Sequence, residues 1–363
     1  RCGYLQRQTA VPIFLFRIKS TIKFPMKIKS KLLRIALVIV SIISTSDAGE
    51  IGHFNGGLMN IRDYFVPEPG FYAVDYNYFY NTKTLNDSKG NKISSVTIKP
   101  GSGPGLTVGL NMDVNMYANA LGLMWVSDWK IFGAKYAALI APNVANASLE
   151  GAISTATQVG NSAQASNFGL GDIFVQPVWL GWTLKHWDFA LGIGFYAPTG
   201  EYNTVTETLP VVGPVKTEAA DNIGYGFWTF QFQGAVAWYP WENKGTAVTA
   251  VLTYETNTKK EGFDLTPGDI LTLNWGISQF LPLTKDHKFL LEIGPAGYDS
   301  WQTTPDNGRL SMNVRDQVHA AGGQIGLTYI PWMLSLNTHY FYEFAAIDRF
   351  QGQVFGFSIS KKF

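Results

Sequence analysis

The 363-residue sequence has almost no cysteine, few charged side chains and, after residue 50, no apolar run long enough for a membrane-spanning helix. Its one cysteine is Cys2, so neither a disulfide framework nor a cysteine-based metal site can form. The five histidines show no His-x-His or His-x-x-x-His spacing, and charged residues make up only 15% of the chain. These absences argue against a disulfide-stapled domain, a metal protein and a helical membrane protein.

Aromatic residues and glycine are abundant instead. The chain holds 24 Phe, 17 Tyr, 11 Trp and 37 Gly, yet its mean hydropathy is near zero. Many aromatics without overall hydrophobicity are typical of apolar residues that alternate with polar ones along β-strands.

The first fifty residues have the pattern of a targeting segment. The sequence begins with Arg1, and from Met26 a basic start is followed by an apolar core over 35–43 and small residues at Ser46 and Ala48. We predict cleavage after Ala48. The predicted parts are an upstream gene-model extension over 1–25, a signal peptide over 26–48 and a single mature domain over 49–363. A long basic leader is the alternative for the first part.

Charge is distributed unevenly between these parts. The first 48 residues carry nine basic residues and one acidic residue, so the remainder has a net charge of −7 although the whole chain sums to +1. The predicted mature chain therefore has no basic patch for nucleic acid.

Period-two alternation recurs throughout the rest of the sequence. For example, Trp228, Phe230 and Phe232 alternate with Thr229 and Gln231, as a strand needs when its two faces meet different surroundings. This pattern predicts twelve strands, at 70–81, 111–127, 133–144, 169–183, 187–198, 225–239, 246–257, 268–281, 287–299, 316–330, 334–346 and 350–363. The second strand could begin earlier, because Leu106 to Met116 alternates equally well.

Short and long connections alternate between these strands, with long connections near 82–110, 145–168, 199–224, 258–267 and 300–315. This layout predicts an all-β fold: a transmembrane antiparallel β-barrel with short periplasmic turns and long extracellular loops. Three tryptophans in or beside the short turns, Trp129, Trp241 and Trp332, are predicted to form an aromatic girdle at the membrane interface. The segment 145–168 is expected to be a surface loop that could fold inward.

The chain ends in an alternating segment that closes with Phe363. Such an ending resembles the signal that the barrel-assembly machinery reads, so that machinery is an expected partner during biogenesis. Outer-membrane lipid and lipopolysaccharide are the expected surroundings of the folded barrel.

Three segments resemble a known family, and they occur in order along the chain: Val114 to Leu121, Phe168 to Ile173 with Pro177, and Tyr196 to Tyr202. Their Gly-Leu-Gly-Asp-Ile and Ala-Pro-Thr-Gly stretches are similar to those of the barrel family named for the meta-pathway of phenol degradation. The resemblance implies an outer-membrane protein distantly like the uptake barrels for aromatic compounds and fatty acids. It implies no catalytic residues.

Polar residues on the alternating faces are the candidate lumen lining. They are Asp188, Gln231, Gln233, Glu255, Asn274, Glu292, Asn337, His339 and Glu343. Glycines at 169, 171, 192 and 194 superficially resemble nucleotide loops but precede no helix, so we expect close backbone approach there. We expect no catalytic residue, no metal and no cofactor.

The barrel and the resemblance together predict a channel or uptake barrel for small, hydrophobic or aromatic solutes in the bacterial outer membrane. Two alternatives are a structural or adhesive surface barrel without transport and a lipid-hydrolysing barrel enzyme. The enzyme would need His339 beside a serine in a catalytic triad.

Overall fold

The computed structural model describes residues 52–98, 106–155, 158–209, 213–219, 222–309, 311 and 314–363. The predicted upstream extension and signal peptide lie outside these ranges. In the described part of the chain, no helix has the length and apolar character needed to cross a membrane.

The described residues form seventeen strands. They are β1 (Gly70–Thr82), β2 (Ser95–Ile98), β3 (Leu106–Ile131), β4 (Ala134–Ala141), β5 (Asn143–Thr155), β6 (Gln158–Leu170), β7 (Ile173–Thr183), β8 (Trp187–Ala197), β9 (Thr204–Leu209), β10 (Gly213–Glu218), β11 (Thr229–Trp238), β12 (Thr246–Asn257), β13 (Ile270–Pro282), β14 (Phe289–Gln302), β15 (Gln317–Tyr329), β16 (Leu334–Ile347) and β17 (Gln353–Lys362). A single 3-10 turn at Ile330–Trp332 joins β15 to β16.

Twelve of these strands close a barrel in the order β1, β3, β4, β7, β8, β11, β12, β13, β14, β15, β16 and β17. The strand β1 pairs with β3 on one side and with β17 on the other, and all pairings are antiparallel. Closure leaves no free edge in the ring, which is the condition for a sheet to span lipid. The predicted twelve-stranded barrel is confirmed.

Alternation separates the two faces of the wall as predicted for most strands. On β11, Phe230 and Phe232 are 45% and 47% exposed on the outer face, whereas Gln231 and Gln233 are buried on the inner face. Because the side-chain period of a strand is two, the wall is apolar outside and polar inside along this strand.

Short turns lie at one end of the barrel and long connections at the other. The tightest turn, between β3 and β4, consists of Phe132 and Gly133, whose φ angles of 51° and 79° are those of a type I′ hairpin turn. These ends are called the short-turn end and the long-loop end below.

The long connections contain secondary structure that alternation alone did not predict. Residues 145–168, predicted as a loop that could fold inward, belong mostly to β5 and β6. The strand β5 pairs with the first half of β3 and carries β6 on its other edge, so this hairpin continues the wall beyond the barrel. The strands β9 and β10 form a separate hairpin in the connection between β8 and β11.

A salt bridge between Asp264 and Arg309 joins two other long connections. Asp264 accepts hydrogen bonds from Lys259, at 2.6 Å, and from Arg309 of the next loop, at 2.7 Å. Lys259 and Arg309 lower the pKa of Asp264 to about 2, so the carboxylate stays charged over the whole neutral range.

The strand β1 has the opposite polarity from β11. Tyr72, Val74 and Tyr76 point into the barrel, where they border an internal cavity, so Asp75 and Asn77 lie on the outer face. Asp75 accepts hydrogen bonds from the amides of Asn77 and Asn119, at 3.0 and 2.6 Å, which satisfies its carboxylate locally. The inversion makes the lumen apolar beside β1.

Candidate functional site

An irregular segment, residues 52–69, occupies the lumen and is called the luminal segment below. It enters β1 from the short-turn end, and Phe54, Ile61, Tyr64 and Val66 along it are at most 7% exposed. Irregular backbone is tolerated at membrane depth only where protein groups satisfy it. The luminal segment is therefore held by the inner wall of the barrel.

Three polar side chains of the wall accept hydrogen bonds from the backbone of the luminal segment. Glu255 accepts from the N–H of Phe54, Asn274 from Gly57 and Gln324 from Ile61, each at 2.9 Å. These contacts lie on three different strands, so they fix the path of the segment through the barrel.

Arg62 anchors the luminal segment at the short-turn end. Its guanidinium donates to Glu292, at 3.0 Å, and to Ser278, at 2.8 Å. It also donates to the carbonyls of Lys244 and Gly245 in a short turn, at 3.0 and 2.9 Å. The guanidinium carbon lies 4.1 Å from the ring centre of Phe280, a cation–π contact. One side chain thus joins the segment to two strands and a turn.

His53 anchors the luminal segment at the long-loop end. One ring nitrogen lies 2.9 Å from a carboxylate oxygen of Asp172, and the other lies 2.7 Å from the hydroxyl of Thr229. The ring stacks on Tyr196 and also contacts the rings of Tyr225 and Phe227. This anchor is buried, because His53 and Asp172 are 6% and 4% exposed.

The two glycine-containing motifs from the sequence meet at this anchor. Asp172, from the Gly-Leu-Gly-Asp-Ile stretch, accepts hydrogen bonds from the backbone N–H groups of Gly200 and Tyr225, both at 2.8 Å. Thr199, from the Ala-Pro-Thr-Gly stretch, donates to the carbonyl of Gly171 and accepts from the N–H of Ile173. The two motifs therefore join the long connections to His53.

Between the luminal segment and the wall lies a cavity of about 600 Å³. Its wall is mainly apolar and comes from β1, β3, β4 and β7, including Tyr72, Val74, Met116, Met124, Leu139 and Phe174. Small residues on β3 (Ala118, Ala120 and Gly122) leave the space open. The cavity reaches from Ile223 and Phe350 at the long-loop end to Pro67 at the short-turn end, so it follows most of the lumen.

The structure places the predicted lumen-lining residues on the inner wall in several groups. Gln231 and Gln233 border the cavity, whereas Glu255, Asn274 and Glu292 bind the luminal segment. Asp188 accepts hydrogen bonds from Tyr239 and Lys244 near the short turns. Glu343 accepts from Tyr80 and Tyr298, and Asn337 is buried on the same strand.

His339 does not meet the requirement of a hydrolase. It is 3% exposed, it packs 5.1 Å from the ring centre of Phe341, and its two ring nitrogens have no hydrogen-bond partner among the described residues. A triad needs the histidine to contact a nucleophile and an orienting carboxylate. In the described part of the chain, no group of three or more His, Cys, Asp or Glu side chains could hold a metal.

The predicted girdle and closing residues lie at one end of the barrel. Trp129, Trp241 and Trp332 are 66%, 61% and 63% exposed, each in or beside a short turn. The N–H of Phe363 donates to the carbonyl of Phe71 at 2.8 Å, and its ring is 74% exposed. The interface role of these tryptophans stays a prediction.

Sequence reasoning missed the luminal segment because its residues follow no strand or helix period. One usable signal was the clustering of Asn55, Gly56 and Gly57 with large apolar residues between the predicted signal peptide and the first strand. Such a mixture suits buried irregular backbone, but only the barrel around it shows what the segment contacts.

The closed antiparallel barrel with an apolar outer face places the chain among the outer-membrane β-barrels. The family model described as "Putative MetA-pathway of phenol degradation" matches residues 82–359, so the chain belongs to that family.

The fold is also similar to that of solved structures. The COG4313 outer membrane channel from Pseudomonas putida F1 is 14% identical, with a TM-score of 0.52 over 84% of this chain and 100% of that chain. The β domain of the Bordetella autotransporter BrkA is 11% identical, with a TM-score of 0.46 over 82% of this chain and 100% of that one. A comparison with functionally curated proteins finds no significant match.

Proposed function

We propose that this protein is an outer-membrane channel that takes up small hydrophobic or aromatic compounds through the cavity beside the luminal segment. The observation that carries the proposal is the apolar cavity itself, which follows the lumen of the barrel. A volume of about 600 Å³ is within the usual range for sites that enclose a small organic molecule. The family membership and the channel fold support the same function.

The luminal segment gives this channel its selectivity. It fills the polar side of the lumen and leaves the apolar side open, so hydrated solutes such as sugars meet no polar passage. The two anchors, His53 and Arg62, hold this arrangement at both ends. A structural barrel without transport would have no need for an apolar cavity along its lumen.

Filling the cavity is expected to abolish uptake. Ala120 borders the cavity from β3, whereas the neighbouring Leu121 points outward and is 39% exposed. Ala120→Phe should therefore block entry of an apolar dye, N-phenyl-1-naphthylamine, into Gram-negative cells that express the protein. Leu121→Phe adds a similar ring on the other face of the same strand and should leave entry unchanged.

Dye fluorescence on entry and swelling of sugar-loaded vesicles are the two measurements. Faster entry of the dye with the unaltered protein, but not of a sugar, is the expected result. If cells with the unaltered protein take up the dye no faster than cells without it, the uptake function is wrong and the surface-binding alternative gains support. Equal entry of sugar would indicate a general pore.

We also propose that Phe363 acts in assembly and not in the stability of the folded barrel. Its exposed ring makes few contacts, and its backbone hydrogen bond to Phe71 does not depend on the side chain. Phe363→Ala should lower the amount of protein in the outer membrane of cells several-fold, while refolding into detergent micelles proceeds normally. Equal loss in both assays would point to a structural role instead.

A further inference from the structure

Three buried polar atoms of residues that border the cavity have no hydrogen-bond partner among the described residues. One is Nε of Arg349, whose guanidinium lies beside Asp316. The other two belong to uncharged side chains: the amide oxygen Oε1 of Gln231 and the indole nitrogen Nε1 of Trp179, whose residues are 2% and 3% exposed. Both residues border the cavity. A buried acceptor and a buried donor left unpaired cost free energy, so an occupant that pairs with them is favoured.

Two glycines on β8 lie between the strands that carry Trp179 and Gln231. Gly192 pairs in register with Trp179 on one side, and Gly194 pairs with Gln231 on the other. The side chain of Gln176 lies over Gly192, where an added Cβ would be 2.9 Å from its amide nitrogen. The ring of Phe174 lies over Gly194 in the same way, so the wall here consists of uncharged amides and aromatic rings.

Every basic side chain of the described cavity lining lies beside an acidic partner. Arg62 binds Glu292, and Lys260 lies 2.6 Å from Glu218. Arg349 lies 3.5 Å from Asp316, and His53 binds Asp172. A carboxylate ligand would therefore lose its hydration without gaining a cation, which is costly in a buried site.

We infer that Gln231 and Trp179 select small neutral molecules that combine an apolar body with a hydroxyl group. The hydroxyl donates to Oε1 of Gln231, and Nε1 of Trp179 donates to a ligand oxygen or to a bridging water. The apolar body packs against Met116, Met124 and Leu139. This inference rests on the proposed function, because it assigns the ligand contacts of the same cavity.

The test compares three probes of similar shape: 4-methylphenol, 1,4-xylene and 4-methylbenzoate. Binding is measured by equilibrium dialysis against lipid nanodiscs that carry the protein, with binding to empty nanodiscs subtracted. The unaltered protein should bind 4-methylphenol at least about tenfold more tightly than either of the other probes, as expected when a buried polar pair is satisfied.

Gln231→Met keeps the side-chain length but removes the amide, so it should remove the preference for 4-methylphenol while 1,4-xylene still binds. Trp179→Phe should weaken the same preference. His339→Phe is the matched control, because it also removes unpartnered buried nitrogens but lies outside the cavity lining. It should leave all three affinities unchanged.

The outcomes separate this inference from the proposed function. If no probe binds the unaltered protein, the cavity is not a ligand site and the proposed function fails with it. The cavity stays a binding site, but selection by Gln231 and Trp179 is wrong, if 4-methylphenol and 1,4-xylene bind equally tightly. The same holds if Gln231→Met and Trp179→Phe both keep the preference for 4-methylphenol. Tightest binding of 4-methylbenzoate would also overturn it.

Discussion

Arg62→Met is expected to make the proposed selective channel leaky. The substitution removes every hydrogen bond that holds the luminal segment to Glu292, Ser278 and the short turn at Lys244–Gly245. Loss of one partner of a buried ion pair typically costs about 3 kcal/mol. A free-energy change of that size raises the ratio of molecules with a released luminal segment to those with a bound one by roughly a hundredfold. Sugar entry into vesicles should rise at least about tenfold.

A disulfide provides the control for this experiment. A Cβ atom added to Gly276 would lie 2.8 Å from Cγ1 of Ile61, close to the geometry of a disulfide bond. Ile61→Cys with Gly276→Cys, added to Arg62→Met, should restore sugar exclusion when oxidised and lose it again under reductant. Cys2, the one native cysteine, precedes the predicted cleavage site. If Arg62→Met excludes sugar as well as the unaltered protein does, the segment does not determine selectivity.

The second large effect is expected from Asp172→Asn. Asp172 accepts hydrogen bonds from His53, Gly200 and Tyr225 in a buried position, and an amide places a donor against at least one of these groups. Leaving buried donors unpaired beside a histidine should destabilise the anchor by about 3 kcal/mol. The apparent melting temperature should fall, and the connection over 198–228 should become sensitive to protease.

Asp128→Asn is the matched control, since Asp128 is an exposed carboxylate near the short turns. It should change neither the melting temperature nor the cleavage pattern. An Asp172→Asn protein with unchanged protease resistance would show that the His53 anchor does not hold the long connections together. A rise in dye uptake by Asp172→Asn would show that this anchor also limits entry.

The barrel could be predicted because its physical cause is local. A strand between lipid and lumen must alternate every second residue, and Phe230, Gln231, Phe232 and Gln233 show this directly in the sequence. Prolines and tryptophans between the strands indicated the turns. The order of short and long connections then indicated which end carries the loops.

The orientation of β1 could not be read from its alternation. Tyr72, Val74 and Tyr76 alternate with Asp75 as clearly as the residues of β11 do, but they point inward. Which face turns inward depends on what fills the lumen, and Tyr76 points inward because its hydroxyl donates to Asp63 of the luminal segment, at 2.8 Å. That contact joins residues whose placement depends on the whole barrel.

By itself, the sequence determined the fold class, the twelve strands of the ring and the polar residues of most inner faces, because each depends on a period of two and on turn chemistry. Only the tertiary structure decided how those polar residues are used. Glu255, Asn274 and Glu292 come from three strands and meet one irregular segment, and the apolar cavity forms where the segment leaves β1 and β3 uncovered. Such contacts arise between residues about 200 positions apart, so no local pattern encodes them.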